Sequence, residues 1–287
     1  APQSGARRAT VIFIFITVVL DLLAFSIIIP VLPRLVTDFA GGDAAHGARV
    51  FGIFGTAWAL MQFFASPILG ALSDRFGRRP VILLSCLGLG LDFILMALAP
   101  NLMWLFVGRV ISGITASNFS TAGAYIADVT PPEGRAKAFG LLGVAFGLGF
   151  IIGPALGGLL GSISPHLPFW VAAVLALLNA AYGYFVLPES LPPERRSSFL
   201  WSKANPLGAL RLLRSHVELS ALATINFLGQ LAQVVYPTCM VLYMGYRFGW
   251  NAQQVGYTLA LVGIWSPVVQ AGLVGPVIKR YGERSML

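Results

Sequence analysis

The stretch Gly70-Ala71-Leu72-Ser73-Asp74-Arg75-Phe76-Gly77-Arg78-Arg79-Pro80 closes an apolar run at 50–72. It returns, altered, as Gly275-Pro276-Val277-Ile278-Lys279-Arg280-Tyr281-Gly282-Glu283-Arg284 at the end of a second run, 252–278. A basic loop repeated at corresponding places implies a duplicated chain, one supersecondary unit built twice. The runs themselves decide the medium. Of 287 residues, 57% are hydrophobic and 10% charged, against roughly 25% charged in a soluble domain, and the mean hydropathy is +0.80. Two cysteines make no disulfide framework, and the 32 glycines and 18 prolines are scattered through apolar runs rather than gathered in a linker. The fold class that follows is an all-α membrane protein.

Eight apolar runs stand out, at 9–32, 50–72, 80–98, 101–127, 138–160, 168–187, 217–243 and 252–278. Each is long enough to cross a hydrocarbon core of ~30 Å. Helices are the expected form, because lipid cannot satisfy an open backbone and no run shows the alternation of a barrel strand. With the N-terminus inside, the 19 lysines and arginines are cytoplasmic except Arg34, Arg49 and Arg247 outside and Arg109 within a span. That asymmetry sets the orientation, and the net charge of +8 is then a topology marker, not a nucleic-acid footprint. The first run lacks a cleavage site and reads as a retained helix. Residues 188–216 read as a cytoplasmic linker between a six-helix bundle, 1–187, and the start of a second bundle, 217–287. Within it Leu207, Leu210 and Leu213, with Arg211 and Arg214 between, fit either a headgroup-level amphipathic helix or a solvated linker. No P-loop, HExxH, nucleophile elbow or His/Cys cluster is present, so nothing points to an enzyme, a cofactor or a metal.

Three charges fall inside the apolar runs. Asp21 lies near the middle of the first, a depth at which an ionisable side chain usually faces a cavity or a partner. Asp92 and Arg109 stand at equal separations from the Pro100-Asn101 turn, so an antiparallel hairpin puts them at one depth. A static pair and a titrating pair are both open readings. Gly149, Gly153, Gly157 and Gly161, four apart with Pro154 beside them, share a face that lets helices approach closely. The Ser112, Ala116, Ser120, Ala124 row reads as packing. Asn226, Gln230, Gln233 and Tyr236 share a face of the seventh run, and Gln62, Asn118, Trp265 and Gln270 lie in others. These polar and aromatic side chains either line a substrate cavity or act as interhelical glue. Cys86 and Cys239 read as inert small apolar residues.

The motifs resemble those of a known family. Gly70 to Pro80 looks like the loop motif of the major facilitator superfamily, Arg109-Val-Ile-Ser-Gly113 like its fourth-helix motif, and Gly149-Phe-Ile-Ile-Gly153-Pro154-Ala-Leu-Gly157-Gly158 like its fifth-helix antiporter motif. More narrowly, Asp21 with Ile29-Pro30-Val-Leu-Pro33, Leu91-Asp92, Ala127-Asp128 before Arg135, and Arg247-Phe-Gly-Trp250-Asn251 resemble the tetracycline efflux proteins. The resemblance implies a fold of twelve spans, of which eight are expected here. It also implies a transporter of small molecules and protons in a cell membrane, the inner one in a bacterium, with no nucleic-acid partner. Proton antiport would run through Asp21, Asp92 and Arg109. A gating loop would use Gly70, Asp74, Arg75, Gly77, Arg78, Arg79, Asp128 and Arg135, with Arg78 paired to Asp128 and Asp74 set against a helix terminus of the other half. The glycine row, with Gly158, would slide against span eight. Ser266 stands where the family has a histidine, and serine carries no proton at physiological pH. Two alternatives are weighed: a facilitator or symporter for a small nutrient, against which the antiporter motif argues, and a non-transporting receptor, which would have no need of a repeated loop.

Overall fold

The computed structural model describes the backbone at residues 2–116, 118–199, 201, 204–205 and 217–269, with side chains from residue 10 onward except at 118–119, 217–219, 230, 233–238 and 266–269. The regular structure among these residues is helical, with no strand. In chain order the helices are α1 (Pro2–Ile27), α2 (Leu32–Phe39), α3 (Ala44–Phe76), α4 (Arg78–Ala97), α5 (Leu102–Thr115), α6 (Asn118–Val129), α7 (Arg135–Ile163), α8 (Leu167–Val186), α9 (Val217–Phe248) and α10 (Ala252–Val269). Six stretches of the described residues are long and apolar enough to cross a membrane: Thr10–Phe39, Ala44–Phe76, Arg78–Ala97, Leu102–Val129, Pro132–Ile163 and Leu167–Val186. Of the eight spans expected, α9 and α10 are helical but not among these six.

Local chemistry explains where the helices differ from the apolar runs. The first run does not stop at residue 32. It turns at Ile28–Val31, where Pro30 has no N–H to donate, and resumes as α2, with the Leu32 N–H bonded to the Ile28 carbonyl (2.9 Å). The second run starts earlier than its apolar residues suggest, because Asp43 caps α3, its carboxylate accepting from the His46 N–H (2.8 Å). The fourth run is two helices, α5 and α6, stacked end to end.

In lipid, packing and not water exclusion holds such helices together. α7 lies between α1 and α10, α4 lies against α8, and α3 against α5. One apolar cluster, including Ile28, Leu35, Phe93, Met96 and Phe169, joins α1, α2, α4 and α8; a second, including Leu22, Ile82, Cys86, Tyr125 and Ile126, joins α1, α4 and α6. A third, around Val241, Val255 and Leu259, joins α9 to α10.

Candidate functional site

The basic loop is built on one glycine. α3 ends and α4 begins at Gly77, whose φ of +104° belongs to a region that residues with a Cβ avoid. The turn brings Arg78 inward, where it is buried. Its guanidinium meets Asp74 at 2.6 Å and Asp128, at the end of α6, at 3.1 Å, and it donates to the Ser73 hydroxyl at 2.6 Å. The Arg78 N–H donates to the Glu189 carboxylate (2.9 Å), which also accepts from the Leu191 N–H (3.0 Å). Ser190 donates to Asp128 at 3.3 Å, and the Ser197 N–H to the Asp74 carbonyl at 3.1 Å. Arg79 donates to the Tyr184 carbonyl and lies 5.8 Å from that tyrosine's ring. Arg135 reaches back to the Ala127 carbonyl (3.1 Å), covering the open end of α6. Arg75 is exposed, 5.1 Å from the Phe76 ring. The ends of α3, α4, α6 and α8 are thus tied by one polar cluster.

The three charges inside the helices are buried: Asp21 is 8%, Asp92 1% and Arg109 7% exposed. Asp92 and Arg109 do lie at one depth, since a Cβ added to Gly108 would stand 3.0 Å from an Asp92 carboxylate oxygen. They do not form a close ion pair. Both Asp92 oxygens and Arg109 Nε are buried without a hydrogen-bond partner, as is the Ser112 hydroxyl one helical turn on. The Arg109 guanidinium instead lies 5.3 Å from the Trp58 ring, which stacks on Phe25 at 5.7 Å. Asp21 sits beside Cys86, whose thiol donates to it at 3.8 Å.

Residues 14–287 match the Major Facilitator Superfamily. The chain belongs to the major facilitator superfamily. It is 44% identical to the class C tetracycline resistance protein of Escherichia coli over 94% of its own length and 68% of that protein's, and 38% identical to the class B protein of Escherichia coli over 97% and 69%. Its fold matches the crystal structure of the human organic anion transporter MFSD10 (TETRAN) with a TM-score of 0.74 at 28% identity, covering 93% of this chain and 72% of that one. A bacterial homolog to the human lysosomal transporter Spinster, inward-facing and unoccupied, shares the fold with a TM-score of 0.72 at 19% identity, over 97% and 64% of the two chains.

Against the expectations drawn from this superfamily's motifs, the glycine row needs correction. Gly149, Gly153 and Gly157 face α1, not α10. A Cβ on Gly149 would stand 2.7 Å from Leu22 Cβ, and one on Gly153 or Gly157 would overlap the Ser26 hydroxyl or the Ile27 carbonyl. The Ser26 hydroxyl, between the carbonyls of Leu22 (2.6 Å) and Gly149 (2.7 Å), marks this close approach. α10 meets the adjoining face: a Cβ on Gly158 would stand 2.6 Å from the Ala252 carbonyl, and one on Gly256 would strike the Pro154 carbonyl. Two glycine faces about 100° apart on one helix serve two neighbours, and spacing cannot say which neighbour takes which.

Gly70 has open space around it, Gln62 is half-buried on α3, and Asn226 and Trp265 are exposed on α9 and α10. The side chains of Asn118, Gln230, Gln233, Tyr236, Ser266 and Gln270 lie outside the described residues, as do the 207–214 segment and the second loop copy at 275–284. Two participants were missed by sequence reasoning. Glu189 looked like the start of a linker, although an acid directly after a span and its proline is a signal. Asn179, a lone amide in the apolar run at 168–187, is fully buried. Cys86, read as inert, is a partner of Asp21.

Proposed function

We propose that this protein is a proton-coupled efflux antiporter exporting an amphipathic organic compound, with tetracycline-like drugs nearest by kinship. The carrying observation is Asp92: a carboxyl 1% exposed, without a hydrogen bond, beside a buried Arg109 held at an aromatic face. A carboxyl buried this way is costly to keep charged unless something charged comes and goes. Protonation from one side and release to the other meets that need. Asp21 is the second carboxyl of the route. The names of the 44% and 38% identical relatives support the drug.

In this reading residues 1–187 form one bundle, 188–216 a cytoplasmic linker, and 217–287 the start of the second bundle, with α9 and α10 as spans seven and eight. The N-terminus is inside, and the bundles rock about a midplane site in a cell membrane. Asn226, Gln230, Gln233, Tyr236 and Trp265, with Gln62, Asn118 and Gln270, contact the substrate. The Arg78–Asp128 pair holds the cytoplasmic ends of one bundle as a unit. A second substrate class, organic anions, is favoured by the kinship with the human organic anion transporter, and Arg109 beside Trp58 would suit a planar anion.

The test is drug uptake into inside-out vesicles carrying the full-length protein. Uptake should follow the proton gradient and fall at least tenfold in Asp21→Asn and Asp92→Asn. Uptake that survives collapse of the gradient, or that is unaltered in both variants, would overturn the reading. Competition by a model organic anion separates the two substrate classes.

A further inference from the structure

A second polar chain runs inside the helices, from α8 through α4 to α1. Asn179 of α8, 0% exposed, donates through Nδ2 to the Thr17 carbonyl (2.9 Å) and to Cys86 Sγ (3.6 Å); the Cys86 thiol of α4, 1% exposed, donates to Asp21 Oδ1 at 3.8 Å. Thr17 is one helical turn before Asp21 on α1, so the amide grips the backbone directly beneath the carboxyl. We propose that Asn179 and Cys86 are positioning residues that set the geometry and proton affinity of Asp21. This rests on the reading of Asp21 as a proton-exchanging group.

Three observations carry it. The amide spans three helices at one level, and each of its N–H groups has a job: one on the α1 backbone, one on the sulfur. By accepting at sulfur, the thiol is left with its S–H aimed at the carboxylate, and a thiol both donates and accepts, so it can serve Asp21 in either protonation state. Asn179 Oδ1 is buried with no hydrogen-bond partner. A buried acceptor with no protein partner is a standing cost, and a leucine of the same shape would pack α8 on α1 without it. The amide is therefore held for its donors.

Four helices pack around this part of α1. α7 presents glycines to this part of α1, Gly149 against Leu22 and Gly153 against Ser26. α6 contributes Tyr125 to the same apolar cluster, but its hydroxyl donates to the Pro188 carbonyl at 2.8 Å. α8 contributes Asn179 and α4 contributes Cys86. Of the other buried charges, Arg78 is taken up at the loop by Asp74 and Asp128, and Asp92 and Arg109 lie at the α4–α5 hairpin beside Gly108, with Arg109 against Trp58 of α3.

The experiment is transport by the full-length protein in vesicles as a function of pH, for Cys86→Ala, Cys86→Ser, Asn179→Leu and each in the Asp21→Asn background. A donor to a carboxylate favours its ionised form. Losing a weak one in Cys86→Ala should therefore move the midpoint of the pH profile upward by about half a unit, with the rate at the optimum held within about twofold. Asn179→Leu should do the same, and Cys86→Ser, which keeps a donor, should restore the midpoint. Neither change should move the profile further once Asp21 is asparagine. The infrared carboxyl band assigned by its loss in Asp21→Asn should shift in Cys86→Ala and return in Cys86→Ser, a readout that needs no transport.

Midpoints and band that stay put in Cys86→Ala and Asn179→Leu, beside a changed profile in Asp21→Asn, would sink this proposal alone. A pH profile unchanged in Asp21→Asn would remove the proton reading of Asp21 and this proposal with it.

Discussion

At Gly77 the backbone adopts φ +104° and ψ +158°, and a Cβ there would strike the Glu189 carboxylate. That conformation is almost closed to other residues and costs about 1–3 kcal/mol when they are forced into it. Gly77→Ala should therefore lower the thermal midpoint of the purified protein and reduce its level in membranes, while Gly70→Ala, with open space at its Cβ, should do neither. Glu189 gives a graded version of the same test. It accepts from the N–H groups of Arg78 and Leu191, so Glu189→Ala leaves both donors behind, an expected loss of about 1–3 kcal/mol. Glu189→Gln keeps one acceptor oxygen and should fall between wild type and alanine in thermal denaturation. A Glu189→Ala protein as stable as wild type would show that the ion pairs of Arg78 hold the cluster without this clamp.

Among the elements, α7 carries the most specific fit. Gly157 faces the Ile27 carbonyl of α1, and a backbone atom cannot rotate aside as a side chain can. Gly157→Ala should thus separate α1 from α7 and lose most folded protein. Gly143→Ala, in the same helix with nothing within 4 Å of its Cβ, should be neutral or raise stability by about 0.5–1 kcal/mol; yields and melting of the two purified variants decide it. Closeness of approach was readable from the four-residue spacing, but the identity of the neighbour was not, because two faces of α7 are glycine-lined and only the folded chain assigns them to α1 and α10. The helices were legible for a cruder reason: lipid demands long apolar runs. The turn at Pro30 and the division between Thr115 and Asn118 were not, since each lies inside a stretch that is still apolar enough overall to read as one continuous span. The same blindness applies to the site. Asp21, Asp92 and Arg109 announce themselves as charges in oil. Asn179 and Cys86 carry no charge, and Glu189 lies just past the end of a span, where acids are ordinary.

For the whole molecule, α7 is the shared neighbour, packed on α1 by one face and on α10 by another, and under the proposed function these two partners belong to different bundles. If the bundles rock, the α7–α10 seam must open and close, whereas contacts inside the first bundle must not. The geometry supplies a pair of tethers that separate these cases. A Cβ on Gly161, at the end of α7, stands 3.6 Å from Ala252 Cβ at the start of α10, and one on Gly88 of α4 stands 3.8 Å from Thr115 Cβ of α5. Both separations lie in the range of about 3.5–4.5 Å that a disulfide spans, with the Val31 methyl turning aside for the first. In a Cys239→Ser background, oxidised Gly161→Cys/Ala252→Cys should pin the outer ends of the bundles together. Under the proposed function, substrate would still bind from the opposite face, but transport should fall below about a tenth and return on reduction, as expected when one of two exchanging states is withdrawn. Oxidised Gly88→Cys/Thr115→Cys, confined to one bundle, should transport as its reduced form does. Full transport with the α7–α10 tether closed, shown by the fraction of free thiol, would mean that the bundles do not part at this seam. The alternating movement would then have to be carried by other helices.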